Sequence, residues 1–421
     1  MEQLTFTASV PRKDAYDIIV AGGGVAGCAA ALEAARMGKR VLLIEKGVAL
    51  GGLATIGLIN FFVPMCNGRG VPVIRGMAEE FLRLSIKYGY DTLPEAWKDG
   101  KGGENAKTTR YVTRYSAPIF AMALTEILHE AGVEILFDTV VSMPVMDGRL
   151  CEGVVVINKS GMEFYGAKMV VDATGDADVL CRAGVPTVQG NNFHTYSLIG
   201  ANLRSLESAW NHRDFGKLQT NYHGGPSNLY GGGHPEGKPF WKGTDGWDVT
   251  RYEVENQLEA LEKLKNDERS QRDVLQMPTM PQFRTTRRID GDFTLNVERD
   301  AYVHFEDSVC AICDFDRNDY LYEVPLRCLV HHAYPNLITA GRIAAGEGYA
   351  WDVLRVIPPA ILTGQAAGAA CANAIDECVG ISQVDIRKLQ KHLEGENVLI
   401  HFDDAWVPEV SGEGGHAKGH I

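Results

Sequence analysis

One stretch near the start, residues 16–45, confines the chain to a small set of folds. Asp17-Ile18-Ile19-Val20-Ala21 is an apolar run with strand character and Gly22-Gly23-Gly24-Val25-Ala26-Gly27 a glycine turn. An Ala-rich helix follows, then Arg40-Val41-Leu42-Leu43-Ile44, a second strand ending in Glu45. This is a βαβ unit of the kind that holds an adenine dinucleotide. Gly22 permits the tight turn, Gly24 lets the backbone approach a pyrophosphate, and Gly27 lets the helix pack close to the strand. The unpaired N–H groups at the helix start, together with the positive end of its dipole, stabilise the anion. Glu45 can accept hydrogen bonds from ribose hydroxyls, and an acid there argues against a 2′-phosphate.

Three further segments narrow the dinucleotide to FAD by resemblance. Glu45-Lys46-Gly47, then Gly51-Gly52-Leu53-Ala54-Thr55, resembles the acid, basic residue and Gly-Gly segment of FAD enzymes related to glutathione reductase and the succinate dehydrogenase flavoprotein. Val170-Val171-Asp172-Ala173-Thr174-Gly175-Asp176 resembles the strand that passes beside the dinucleotide in that superfamily. Asn336-Leu337-Ile338-Thr339-Ala340-Gly341-Arg342, followed by Gly364-Gln365-Ala366-Ala367-Gly368, is similar to the strand, turn and helix that close over the flavin's ribityl chain and pyrimidine end. With Arg284-Thr285-Thr286-Arg287-Arg288-Ile289-Asp290-Gly291 and Pro325-Leu326-Arg327, the set resembles a family of FAD-dependent oxidoreductases over residues 15–190 and 280–375. The resemblance implies FAD contacts at Gly22, Gly24, Val25, Ala26, Gly27, Glu45, Lys46, Gly52, Leu53, Thr55, Ala173, Thr174, Gly175, Gly341, Arg342, Arg355, Gly364 and Gln365. One departure stands out. Relatives often carry His between the Gly-Arg and Arg-Val-x-Pro segments, where this chain reads Glu347-Gly348-Tyr349-Ala350-Trp351-Asp352.

The fold this implies is α/β: a Rossmann-like FAD-binding domain, a parallel sheet with an antiparallel excursion, plus an inserted α+β substrate domain. At 421 residues the chain is too long for one ordinary core. The expected parts are residues 14–190 and 325–400 for the FAD-binding domain, 191–324 for the substrate insert and 401–421 for a tail. Helical periodicity marks 77–88, 117–131 and 254–269, and residues 154–157 and 163–168 suit the antiparallel excursion. Gly224-Gly225, Gly231-Gly232-Gly233 and Gly243 read as irregular loops. No apolar strand feeds Gly231 and no Ala-rich helix follows it, so a second dinucleotide domain for NAD(P)H is not expected.

A net charge of −13 offers no footprint for nucleic acid or an anionic membrane surface. The first residues lack an apolar signal core, which leads to a cytoplasmic expectation. Nine cysteines, an odd count, fit reduced thiols. Cys310-x-x-Cys313 with Cys328-x-x-His331 imitates a zinc spacing, but the stretch reads as strand, so structural cysteines and no metal are expected. Cys66 stands alone after the Gly-Gly turn and reads as a buried thiol, and His416 and His420 as solvated tail residues.

For chemistry, Arg284, Arg287 and Arg288 are three cations within five residues, suited to a carboxylate or phosphate. They can equally form ion pairs with Asp290, Asp292 or Glu298. Acid–base candidates are His194 and Tyr196, at the entry to the insert, His304, and Glu347 with Tyr349 in the flavin-side segment; a packing role for His194 stays open. The catalytic set is therefore His194, Tyr196, Glu347, Arg284 and Arg288, with Arg355 beside the helix start at Pro358. The expected function is hydride transfer between the flavin N5 and a small polar organic substrate, anionic ones included: a hydroxy, amino or activated C=C compound. Its alternative is a structural or regulatory FAD acting through a protein partner. The expected partners are a small molecule and an unidentified electron donor or acceptor, and a homo-oligomer is compatible with the sequence.

Overall fold

Strands apolar along their whole length belong in a sheet covered on both faces, and Ile18–Ala21 and Val41–Ile44 are buried at nearly every position. The computed structural model describes residues 7–228 and 231–408. Its main sheet holds seven strands: β1 Arg12–Ala21, β2 Val41–Ile44, β3 Glu134–Leu136, β4 Val140–Asp147, β5 Leu150–Asn158, β6 Gly161–Asp172 and β7 Leu337–Thr339. Neighbours β3, β2, β1 and β6 run parallel, in that order. The far edge of β6 has two partners in succession: residues 161–166 pair antiparallel with β5, and 170–172 pair parallel with β7. The excursion β4–β5 thus leaves the sheet in time for the C-terminal segment to enter it.

That arrangement brings distant glycine-bearing segments to one line. Ala21 is in register with Ile44 and Asp172, Ile44 with Leu136, and Asp172 with Thr339. The strands therefore end together, and the crevice beyond their carboxyl ends is where open α/β sheets bind ligands. Over the sheet, helix α1 (Val25–Arg36) crosses helix α2 (Ile357–Glu377) at backbone contact. A Cβ on Gly364 would lie 2.2 Å from the Ala26 carbonyl oxygen, and one on Gly368 would lie 2.3 Å from that of Ala30. Helices Met77–Ile86 and Ala117–Glu130 form where periodicity puts them.

The insert builds its own small core. Strand Thr195–Asn202 lies between antiparallel Thr220–Pro226 and Arg272–Gln276. Helix Gly246–Lys265 covers this sheet, burying Tyr196, Leu198, Trp241, Tyr252, Ala260 and Phe283 together. Two expectations change here. The helix begins eight residues before position 254, because the Asp245 carboxylate caps it by accepting from the N–H groups of Trp247 and Asp248. Gly224 and Gly225 belong to a strand and not to a loop. A Cβ on either would meet an Asn256 oxygen at 2.5 Å, so glycine is needed for the helix to lie against the sheet.

Residues beyond the insert's core return to the large one. The hairpin of Ser308–Cys313 and Leu321–Pro325 is buried on both faces, so Cys310 and Cys313, on alternate sides, are both enclosed. Cys328 sits in a short 3-10 turn, Leu326–Cys328, and not in a strand. Burial pushes all three thiols up. Of residues 401–421, expected as a tail, 409–421 lie outside the described ones, while the described part is not a loose tail: Phe402 is buried in the main core. Among the described residues no helix is long and apolar enough to cross a membrane.

Candidate functional site

A cavity opens at the carboxyl ends of β1, β2, β6 and β7. Gly22, Gly24, Val25, Ala26, Glu45, Lys46, Gly52, Leu53, Ala173, Thr174, Gly175, Gly341, Arg342 and Arg355 all line it. The turn at its floor needs glycine for two different reasons. Gly22 has φ +105°, and a Cβ there would lie 2.4 Å from the Ala173 carbonyl oxygen. Gly24 has an ordinary φ of −63° and would meet no protein atom within 4 Å, so its face is open to whatever fills the cavity. Gly24 is also the N-cap of α1, with no side-chain cap and no acid in the first turn, so the N–H groups at this helix start are not taken up by a capping side chain. Glu45 accepts N–H bonds from Gly23 and Gly47, both at 2.7 Å. A carboxylate has about four lone-pair positions, so accepting capacity is left for hydroxyls. These features fit an adenine dinucleotide: an anion cradle, a hydroxyl acceptor and an open glycine face.

Four expected contacts stand behind the lining. A Cβ on Gly27 would lie 1.9 Å from the Gly22 carbonyl oxygen, so this glycine serves the turn. Gly364 serves the contact of α2 with α1. The Thr55 hydroxyl donates to the Leu50 carbonyl at 2.5 Å and closes the Gly51-Gly52 turn. Gln365 bridges helices, donating to Glu33 at 3.0 Å and accepting from the Met77 N–H at 3.0 Å.

The arginines divide. Arg342 pairs with Asp176 at 2.7 Å and donates to the Phe283 carbonyl, while Arg355 donates from Nε to Asp352 at 2.7 Å. Arg287 pairs with Asp178 at 2.8 Å and is structural. Arg284 is buried, and its Nη1 donates to the Gln282 carbonyl at 2.6 Å. It has no ion pair among the described residues. Burial above all, with Arg355 and then Arg342 adding repulsion, pushes its guanidinium down to about 10. Among the described residues, Arg342 and Arg355 each meet a carboxylate, Asp176 and Asp352, while Arg284, close enough to both arginines to feel their charge, pairs with none. Arg288 is turned elsewhere: it lies over the Trp351 ring at 5.7 Å and donates to its neighbour's carbonyl.

The expected acid–base residues do not line the cavity. His194 is fully buried in the insert's core, with Nε2 3.1 Å from Glu259 and its ring beside Trp241. Tyr196 is buried in the same core. Glu347 is exposed and accepts from the Asn296 side chain at 2.7 Å. His304 meets Glu323 instead, and Tyr349 donates to Asp314 at 2.8 Å. Among the described residues, the lining contains no histidine, tyrosine or cysteine. It does contain residues that sequence reasoning passed over: Ile56 and Met280, held together by a 3.0 Å bond from the Thr279 N–H to the Ile56 carbonyl, and Thr139–Val141 at the start of β4. The Met277-Pro278-Thr279-Met280-Pro281 run was the available signal for Met280.

The chain is similar to several known proteins. A family model described as FAD dependent oxidoreductase matches residues 17–198 and 206–393. A digeranylgeranylglycerophospholipid reductase from Methanoculleus marisnigri is 31% identical over 42% of this chain and 43% of its own length. A thiamine thiazole synthase from Aeropyrum pernix is 30% identical over 42% of this chain and 61% of its own. The chain thus matches less than two thirds of either relative. A solved p-nitrophenol 4-monooxygenase from Pseudomonas putida is 14% identical, with a TM-score of 0.47 over 93% of this chain and 91% of that one.

Proposed function

The chain belongs to the FAD-dependent oxidoreductase family, and from that premise we propose that it transfers a hydride to or from a small anionic organic substrate held by the arginine cluster. It is an enzyme whose cofactor is FAD. When bound, FAD supplies a centre that takes up or gives back a hydride, and the protein supplies position and charge.

Each protein group has a task at a defined place. The uncapped start of α1 and the open face of Gly24 receive the pyrophosphate, and Glu45 accepts from the ribose hydroxyls. The first turn of α2 also reaches the lining, through Ile357 and Ala360, and presents its positive dipole end there. Ile56 and Met280 form an apolar wall that excludes water. Arg284, with Arg342 and Arg355 of the lining near it, orients the substrate's carboxylate or phosphate, because an anion offsets the charge of a buried guanidinium that has no carboxylate among the described residues. Among the described residues no histidine, tyrosine or cysteine lines the cavity; the titratable side chains there are Glu45, Lys46 and Asp178, besides the arginines.

The observation that carries this reading is Arg284, a buried guanidinium without a described carboxylate partner, next to two arginines of the lining. The test is an anaerobic screen at 450 nm. Hydroxy acids and amino acids are offered to oxidised enzyme, and enoates to photoreduced enzyme, each beside its neutral amide or ester. Bleaching or reoxidation by an anionic compound, absent with its neutral partner and reduced at least tenfold by Arg284→Met with FAD retained, supports the proposal. Equal response to charged and neutral partners contradicts it.

A further inference from the structure

Outside the cavity, two imidazoles converge on one buried carboxylate. Glu323, on the strand Leu321–Pro325, is fully buried. Its Oε2 accepts the Phe305 N–H at 2.8 Å, which fixes the carboxylate plane. Its Oε1 lies 2.5 Å from His304 Nδ1 and 3.0 Å from His401 Nδ1. One ligand atom from each of the three residues lies within 4.8 Å of the other two.

The second nitrogen of His304 makes the cluster more than a pair of hydrogen bonds. His304 Nε2 lies 3.1 Å from Asp404 Oδ1, and a neutral imidazole carries only one N–H. In a neutral ring, donation from Nε2 to Asp404 leaves a lone pair on Nδ1 facing a carboxylate oxygen; either a second ring proton or a metal ion bound jointly by the two groups, with Nδ1 and the oxygen moved apart from 2.5 Å, removes that repulsion. A ligating histidine whose far nitrogen donates to a carboxylate is also the usual way proteins orient a metal-bound imidazole. Two nitrogens and one oxygen suit a borderline divalent ion such as Zn²⁺, bound at roughly 2.0–2.2 Å, with a fourth position left for water. The His401 side chain is 40% exposed and provides that open side.

We propose that His304, Glu323 and His401 bind one divalent transition-metal ion, with zinc preferred and Asp404 as the residue that orients His304. The three donors come from separate segments, so the ion ties the C-terminal segment to the Ser308–Cys313 and Leu321–Pro325 hairpin. Two hydrogen bonds already hold that segment in place: the Ser308 hydroxyl donates to the Ile400 carbonyl at 2.7 Å and the Ala311 N–H to that of Leu399 at 2.6 Å. None of the four residues lines the FAD cavity, so metal and flavin contents are independent readouts.

The test uses untagged, FAD-loaded protein stripped with a chelator and titrated with zinc chloride by calorimetry, with a parallel thermal melt. One zinc per chain is expected, with a rise in Tm, since a ligand bound only by the folded form stabilises it. His401→Ala, at a half-exposed position, is expected to weaken binding at least tenfold with FAD content unchanged. Asp404→Asn, also exposed, is expected to weaken it by about 10–100-fold through the orientation of His304. No zinc uptake by the wild-type protein would overturn the proposal and leave His304 as an imidazolium between two carboxylates. Uptake that survives His401→Ala undiminished, or that is lost only in a His416→Ala, His420→Ala variant, would overturn it equally.

Discussion

Single residues carry two kinds of constraint, and the glycine turn separates them. Gly22 and Gly27 are glycines because protein atoms occupy the space a Cβ needs, whereas Gly24 is glycine although nothing of the protein is near. Gly24→Ala is therefore expected to leave the apoprotein unharmed, or to raise its stability by up to about 1 kcal/mol, while weakening FAD binding; a melt and an FAD titration on the same sample check both. Gly27→Ala, with a Cβ 1.9 Å from a carbonyl oxygen, is expected to disrupt the turn itself. His194 shows the limit of residue-type reasoning. Its chemistry suits acid–base work, but its partner Glu259 lies on a helix sixty-five positions away, and nothing local reveals that contact. His194→Gln is expected to cost about 1–3 kcal/mol of stability and to leave the flavin reduction rate within a few-fold of wild type. A larger rate loss at unchanged Tm would restore a catalytic role.

At the scale of elements, legibility followed locality. The βαβ unit was legible because phosphate binding demands glycine at fixed offsets within one turn, and the β6 and β7 segments because each ends in a short glycine-bearing motif. The insert was not. Gly224-Gly225 looks like a loop in sequence, and only the approach of helix Gly246–Lys265 explains two glycines in a strand. The contact of α1 with α2 obeys the same logic. Gly368 lies four residues from Gly364 on the same helix face and is pressed against Ala30. Gly368→Ala is expected to cost about 1–3 kcal/mol by overpacking, read as a lower Tm, and to lower FAD retention by separating the helices. A variant as stable as wild type would mean that the two helices are less tightly apposed than described.

For the whole molecule, the cysteine inventory gives a direct check on packing. Cys378 is exposed and Cys181 half-buried, while the other seven of nine are buried. The thiolate is the reactive form, and burial pushes most of the enclosed thiols up. A thiol reagent on native protein is expected to modify Cys378 rapidly, Cys181 slowly and the remaining seven only after unfolding. Rapid modification of Cys66, Cys310 or Cys313 would contradict the packing of the hairpin into the main core. The larger claim is that the sheet exists to bring separated segments to one cofactor, with the insert and the arginines facing the same cavity. Reconstitution with FAD followed by counting flavin per chain tests it most directly. One FAD per folded chain is expected for the wild-type protein and a marked deficit for folded Gly24→Ala; wild-type protein that stays colourless, or a variant that binds FAD as well as wild type, would contradict the account.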